Sequence, residues 1–108
     1  MPGPGWLGSP MRIKVEILPW LSDTLRPGTV GSLRFEHQTA GTTVGDLLED
    51  LAEADPAFGR LIYDRKAREL RYPARAIVNE QLLEFLQGLD TPLAEGDTVS
   101  FMAAYTGG

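Results

Sequence analysis

One segment of this 108-residue chain limits its fold more than any other. From residue 44 onward, Val44, Leu47, Leu48, Leu51 and Ala52 recur at helical spacing, while Asp46, Glu49, Asp50 and Glu53 take the opposite side. Thr43 is suited to cap the start, with Asp46 three residues on in an approximate capping box. Asp55-Pro56 closes the run, because the residue before proline is steered away from helical geometry. Burying the valine and three leucines is worth about 1.5–3 kcal/mol each before chain entropy is subtracted. Such a face needs an apolar surface to lie on.

The surface is supplied by strands. Arg12–Leu18 alternates strictly, with Ile13, Val15 and Ile17 on one face and Arg12, Lys14 and Glu16 on the other, and Pro19 ends it. Pro27, Gly28 and Gly31 mark Ser22–Gly31 as loop. Leu33, Phe35 and His37 then alternate with polar neighbours in a second strand. Past the helix, Phe58, Leu61 and Ile62 suit a short helix on the sheet, and Glu69–Tyr72 suits a short edge strand. Arg75–Val78 reads as a strand turning at Asn79-Glu80 into a short Leu82–Glu84 segment. Residues 86–93 read as a turn-rich crossover, and Gly96-Asp97 turns into a last strand, Thr98–Met102, with Val99 and Phe101 facing inward. Two strands, a helix, a strand pair and a final strand make an α+β domain of the β-grasp type. We expect a mixed sheet of about five strands, one main helix packed across it, and the last strand parallel to the first at the centre. The domain would span residues 11–102, between a flexible leader over 1–10, with Met11 a candidate alternative start, and a flexible tail over 103–108.

Composition removes several classes of function. A net charge of −5 argues against non-specific nucleic-acid binding, which needs a basic stripe; only Lys14 and Lys66 are lysines, and the eight arginines are scattered. No apolar run approaches the ~20 residues that cross a bilayer. With no cysteine there is no disulfide, thiolate metal site or thiol nucleophile. The leader has no basic-then-apolar signal pattern, and the expected location is cytoplasmic.

The sequence closes on Gly107-Gly108. Lacking side chains, such a tail can thread a narrow channel and present its own carboxylate to another protein's active site. Taken alone, a diglycine fits a frayed terminus better.

The stretch Leu89–Phe101, followed by a short linker and Gly107-Gly108, resembles the ubiquitin-like sulfur carriers, the family of the molybdopterin synthase small subunit (MoaD) and the thiamine-pathway carrier (ThiS). Ala76–Glu80 is similar to their strand-and-turn "V-N-G" element, with Glu80 where glycine is common. The linker Met102–Thr106 also departs from the pattern, since many relatives carry prolines there. The resemblance implies a carrier cycle. A ubiquitin-activating-type enzyme (MoeB- or ThiF-like) would use ATP and magnesium to adenylate the Gly108 carboxylate. A sulfur-donor enzyme would convert the adenylate to a thiocarboxylate, and an acceptor such as a MoaE-like large synthase subunit would take the sulfur. The chain itself would be a carrier subunit, not an enzyme, binding no cofactor and no metal.

Gly108 and Gly107 are therefore the expected reactive end, with Met102, Tyr105, Thr106 and Phe85 as partner contacts, since Met and aromatic residues are enriched at interfaces. For Met102 and Tyr105, simple packing competes with that role; Phe85 and Leu86 also fit the core. His37 lacks metal-binding companions in sequence, and an edge or packed imidazole is its default. The four helix acids are expected to form a solvated face. Trp20 is expected to pack. No G-x-x-x-x-G-K-[ST] loop is present, so ATP would sit on the partner. The span between helix and third strand exceeds what a minimal thiamine-type carrier needs, which favours the molybdopterin branch. Carriers for thiamine, tRNA thiolation or cysteine biosynthesis, a protein modifier joined to lysines, and an inert interaction module remain as alternatives.

Overall fold

The computed structural model describes residues 10–104. Along the chain run β1 (Met11–Ile17), α1 (Leu21–Leu25), β2 (Leu33–Thr39), α2 (Val44–Ala54), α3 (Pro56–Leu61), β3 (Tyr63–Asp64), β4 (Glu69–Leu70), β5 (Ala74–Val78), β6 (Gln81–Leu82) and β7 (Thr98–Ala103). Short 3-10 turns occupy Leu83–Phe85 and Gly88–Asp90.

The apolar alternation of β1 and β7 dictates what lies at the centre. Ile13, Val15, Ile17, Val99 and Phe101 are almost wholly buried, and their strands run side by side in parallel, Val15 facing Val99 and Ile17 facing Phe101. Around them the sheet has the order β2-β1-β7-β5-β6, its other pairings antiparallel. Helix α2 crosses one face and buries Val44, Leu47, Leu48, Leu51 and Ala52. This is the β-grasp fold.

The capping box that opens α2 is complete: the Asp46 amide donates to Thr43 Oγ1 at 3.2 Å, and Asp46 Oδ2 accepts from the Thr43 amide at 3.2 Å. Gly41 is packed so close that an added Cβ would lie 2.1 Å from Asp46 Cβ. The crossover then pins the same helix end, with Val44 N–H donating to Thr91 O at 2.9 Å and Leu93 N–H to Thr42 O at 2.8 Å.

Several expectations change. Residues 22–25, expected as loop, belong to helix α1: Leu21 and Leu25 sit one helical turn apart and are both buried, and Ser22 Oγ donates to Gly31 O at 2.6 Å. The nearby Pro and Gly residues obscured that apolar pair. Trp20 does not pack into the core; it is 51% exposed. Residues 69–70 pair with β3 in a separate two-stranded ribbon and do not extend the main sheet. The acidic side of α2 is only partly a solvated face. Beyond the capping Asp46, Glu49 accepts from the buried Tyr63 hydroxyl at 3.1 Å and from Arg65 at 3.1 Å, and Asp50 accepts from Thr39 Oγ1 at 2.5 Å. These acids tie the helix to β2 and to the ribbon.

Candidate functional site: the open sheet face and the end of β7

Strand pleating puts alternate residues of the sheet on the side away from α2. On β7 these are Thr98, Ser100 and Met102; on β5, Arg75 and Ile77; on β1, Arg12, Lys14 and Glu16. Met102 is half-buried opposite Arg75, while Ile77 lies opposite Ser100 on one side and Leu82 on the other. Leu82, Ile77 and Met102 therefore form a short apolar strip on this face.

Charges frame the strip in pairs. Arg75 binds Glu84, and Glu16 accepts from Arg34 at 2.8 Å and from Ser100 Oγ at 3.4 Å. Paired charges at a rim carry little net affinity but set orientation.

Of the sequence-expected partner contacts, the structure describes two. Met102 is the last open-face side chain before β7 ends. Phe85 is 78% exposed, which removes it from the core; Leu86 beside it is half-buried against the core. The two candidates converge, since Glu84, the neighbour of Phe85, grips the arginine that Met102 faces. Tyr105, Thr106, Gly107 and Gly108 lie outside the described residues, as does the leader through residue 9. His37 is half-buried on β2, opposite Ile13. Among the described residues no group of three or more His, Asp or Glu side chains is placed to hold a metal ion, and no helix is long and apolar enough to cross a membrane.

Strand β7 outruns its expected end by one residue, and the Ala104 amide donates to Pro73 O at 2.8 Å. The backbone is thus held to β5's approach segment through residue 104. Arg75, Ile77 and Leu82 did not stand out from sequence as contacts, although the two-residue period of Ala74–Val78 already places Arg75 and Ile77 on the face opposite Ala74, Ala76 and Val78.

A β-grasp sheet whose central strand precedes a diglycine in sequence is the arrangement of the ubiquitin-like carriers and modifiers. The comparisons agree. The profile of the ThiS family matches residues 23–108, and the chain belongs to that family. Among curated proteins no match was found. Urm1 from Trypanosoma brucei is similar in structure, with 25% identity over 93% of this chain and 98% of Urm1 and a TM-score of 0.65. Small archaeal modifier protein 1 from Methanosarcina acetivorans shares 23% identity over 94% of this chain and 100% of its own, TM-score 0.65. A chain of the BexX/CysO complex of Amycolatopsis orientalis shares 24% identity over 87% of this chain and 99% of its own, TM-score 0.57.

Proposed function

We propose that this protein is a sulfur carrier whose reactive group is the Gly108 carboxylate, working in the cytoplasm in molybdopterin biosynthesis. The observation that carries the reading is the extent of the family match, which includes Gly107-Gly108 and the strand that leads to them. A carboxylate oxygen of Gly108 attacks the α-phosphorus of ATP on a ThiF- or MoeB-like enzyme that also holds magnesium, and pyrophosphate leaves. A persulfide on a donor enzyme then attacks the acyl carbon and displaces AMP to give an acyl disulfide. A second thiol of the partner enzymes cleaves its S–S bond, leaving the Gly108 thiocarboxylate and an enzyme disulfide. A free carboxylate is a poor electrophile, and passing through an activated acyl species divides one hard step into two easier ones. The complex of CysO with BexX supports a working mode in which the carrier docks on a partner protein. In the molybdopterin branch that partner is a MoaE-like large subunit, and the Leu82–Ile77–Met102 strip with Phe85 is the docking face.

Anchorage at Ala104 sets the geometry. The remaining four residues, 105–108, reach about 14 Å at most when extended, shorter than the ~20 Å available from Met102.

A second reading, a protein modifier joined to lysines, draws on the name of the archaeal modifier protein. One experiment separates the readings. The chain is incubated with ATP, a cognate activating enzyme and a sulfur donor, and its intact mass is measured. A gain equal to the replacement of one oxygen by sulfur supports the carrier, and deleting Gly108 must abolish both that gain and ATP–pyrophosphate exchange. Retained exchange without Gly108 would overturn the proposal. Recovery of Gly108 in amide linkage to target lysines, with no thiocarboxylate, would favour the modifier. The molybdopterin assignment fails if the thiocarboxylate form cannot donate sulfur with a MoaE-like subunit.

A further inference from the structure

Strand β2 forms an edge of the main sheet, seven residues long. The directions of its backbone groups follow from β1. Lys14 N–H donates to Asp97 O, Arg12 O accepts from Gly96 N–H, and Leu18 N–H donates to Phe101 O, so the even-numbered residues of β1 address β7. The odd-numbered ones address β2, where Ile13 faces His37, Val15 faces Phe35 and Ile17 faces Leu33. It follows that Arg34, Glu36 and Gln38 turn their amides and carbonyls outward. Among the described residues, no backbone bond outside the β1 ladder involves residues 33–38.

An open edge of this length is a template for another strand, and natural proteins usually blunt it with charged side chains, proline or a bulge. Here the charges alternate in sign about a central aromatic: Arg34, Phe35, Glu36. Phe35 is 38% exposed, beside a cleft of about 320 Å³ lined by Leu33, His37, Leu51 and Phe58 among others.

We propose that this edge pairs with the same edge of a second copy of the chain, antiparallel and centred on Phe35. The outward groups must meet as mutually bonded pairs, which leaves registers in which even-numbered residues face even-numbered ones. Centring on Glu36 opposes two glutamates, and centring on Arg34 opposes two arginines. Centring on Phe35 sets Arg34 of each copy, whose guanidinium also holds Glu16 of its own chain, against Glu36 of the other, the opposite-charge arrangement that favours cross-strand pairing. Phe35 then meets its own counterpart at the closely spaced non-bonded position, and Leu33 meets His37 across the axis, covering the exposed apolar edge. The two five-stranded sheets become one of ten strands, with both open faces on the same side and the ends of both β7 strands unobstructed.

The test uses the full-length chain at micromolar to millimolar concentration, with mass read by sedimentation equilibrium. The wild type is expected to be a concentration-dependent dimer. Arg34→Glu and Glu36→Arg each place like charges across the axis and are expected to weaken it at least tenfold, while an equimolar mixture of the two variants restores it as a heterodimer. Circular dichroism checks that each variant is folded. Glu36→Pro gives an independent reading, because it removes an outward donor and leaves the β1 ladder intact; it should be folded and monomeric. A wild type that stays monomeric at millimolar concentration, single variants that dimerise as well as the wild type, or a mixture of monomeric variants that does not pair would each overturn the proposal.

Discussion

The rings of Phe58 and Phe101 meet edge to face, with centroids 5.3 Å apart and planes at 82°. This contact joins α3 to the central strand β7, and both side chains are almost fully buried. Phe101→Ala is expected to cost about 3–5 kcal/mol, from lost burial and the cavity left behind. Urea denaturation should show it as a lower midpoint with little change in slope. A loss below about 1 kcal/mol would mean that the centre of the sheet closes over the gap.

The β5–β6 turn places Asn79 and Glu80 at φ values of 47° and 74°. Asparagine tolerates that region and here also accepts from Thr98 N–H at 2.9 Å, but glutamate pays a steric penalty. Glu80→Gly should raise stability by up to about 1 kcal/mol, after the extra entropy of glycine in the unfolded chain is deducted. Thermal melting should move upward, and a fall would mean that the Glu80 side chain makes a favourable contact.

Burial first, and then its bond to Glu49, push the Tyr63 hydroxyl above the ordinary tyrosine value. Ionisation is therefore easier in the unfolded chain. The stability held in this group is complete below the ordinary value of about 10 and is lost as pH climbs past it toward the higher folded value. Tyr63→Phe should cost about 1 kcal/mol at neutral pH through the lost hydrogen bond, yet flatten the alkaline decline. Denaturation midpoints taken from neutral to strongly alkaline pH would reveal both effects.

At the acid end the sign reverses. The amide of Thr42 foremost, helped by Thr43, holds Asp46 below the ordinary aspartate value, and the amide of Arg12 does the same for Glu95. These groups favour the fold above the ordinary carboxylate values near 4, and that contribution fades as pH falls through their lowered ones. Asp46→Asn should lower stability at neutral pH and make the acid decline shallower. Thr43→Ala, which removes the other half of the capping box, should cost about 1 kcal/mol at neutral pH and less in acid, because its hydroxyl also helps hold Asp46 ionised.

Met102 and Ile77 can be changed without opening the core, because both face away from α2. Met102→Asp or Ile77→Asp should leave thermal stability nearly unaltered and weaken binding to the MoaE-like large subunit proposed above at least tenfold, the scale of an interface anchor. Calorimetric titration would measure this, and unchanged affinity would place docking elsewhere.

The long-range plan of the fold was legible because it rests on strong periodicities. The alternation in Arg12–Leu18 and the apolar stripe from Val44 to Ala52 each state one buried face, and together they demand a helix laid on a sheet. What escaped was decided by tertiary contacts. Helix α1 exists because Leu21 and Leu25 both reach the core, a pair hidden among turn-forming residues. The acids of α2 looked like a solvated face because their partners, Thr39 on β2 and Tyr63 and Arg65 on or beside the β3–β4 ribbon, come from distant sequence. Of the candidate contacts, Met102 was chosen from sequence by residue type and position, and the structure places it on the open face. Arg75 and Ile77 were missed because a strand was recognised without asking which way each side chain points.

The bond from Ala104 to Pro73 acts as a ruler for whatever enzymes this protein serves. On the carrier reading proposed above, and with that bond kept, Gly108 reaches at most about 14 Å beyond Ala104. Partners matched to such a carrier would then share a shallow shaft, and a deeper one would call for a longer terminal segment or for release of the Ala104 bond.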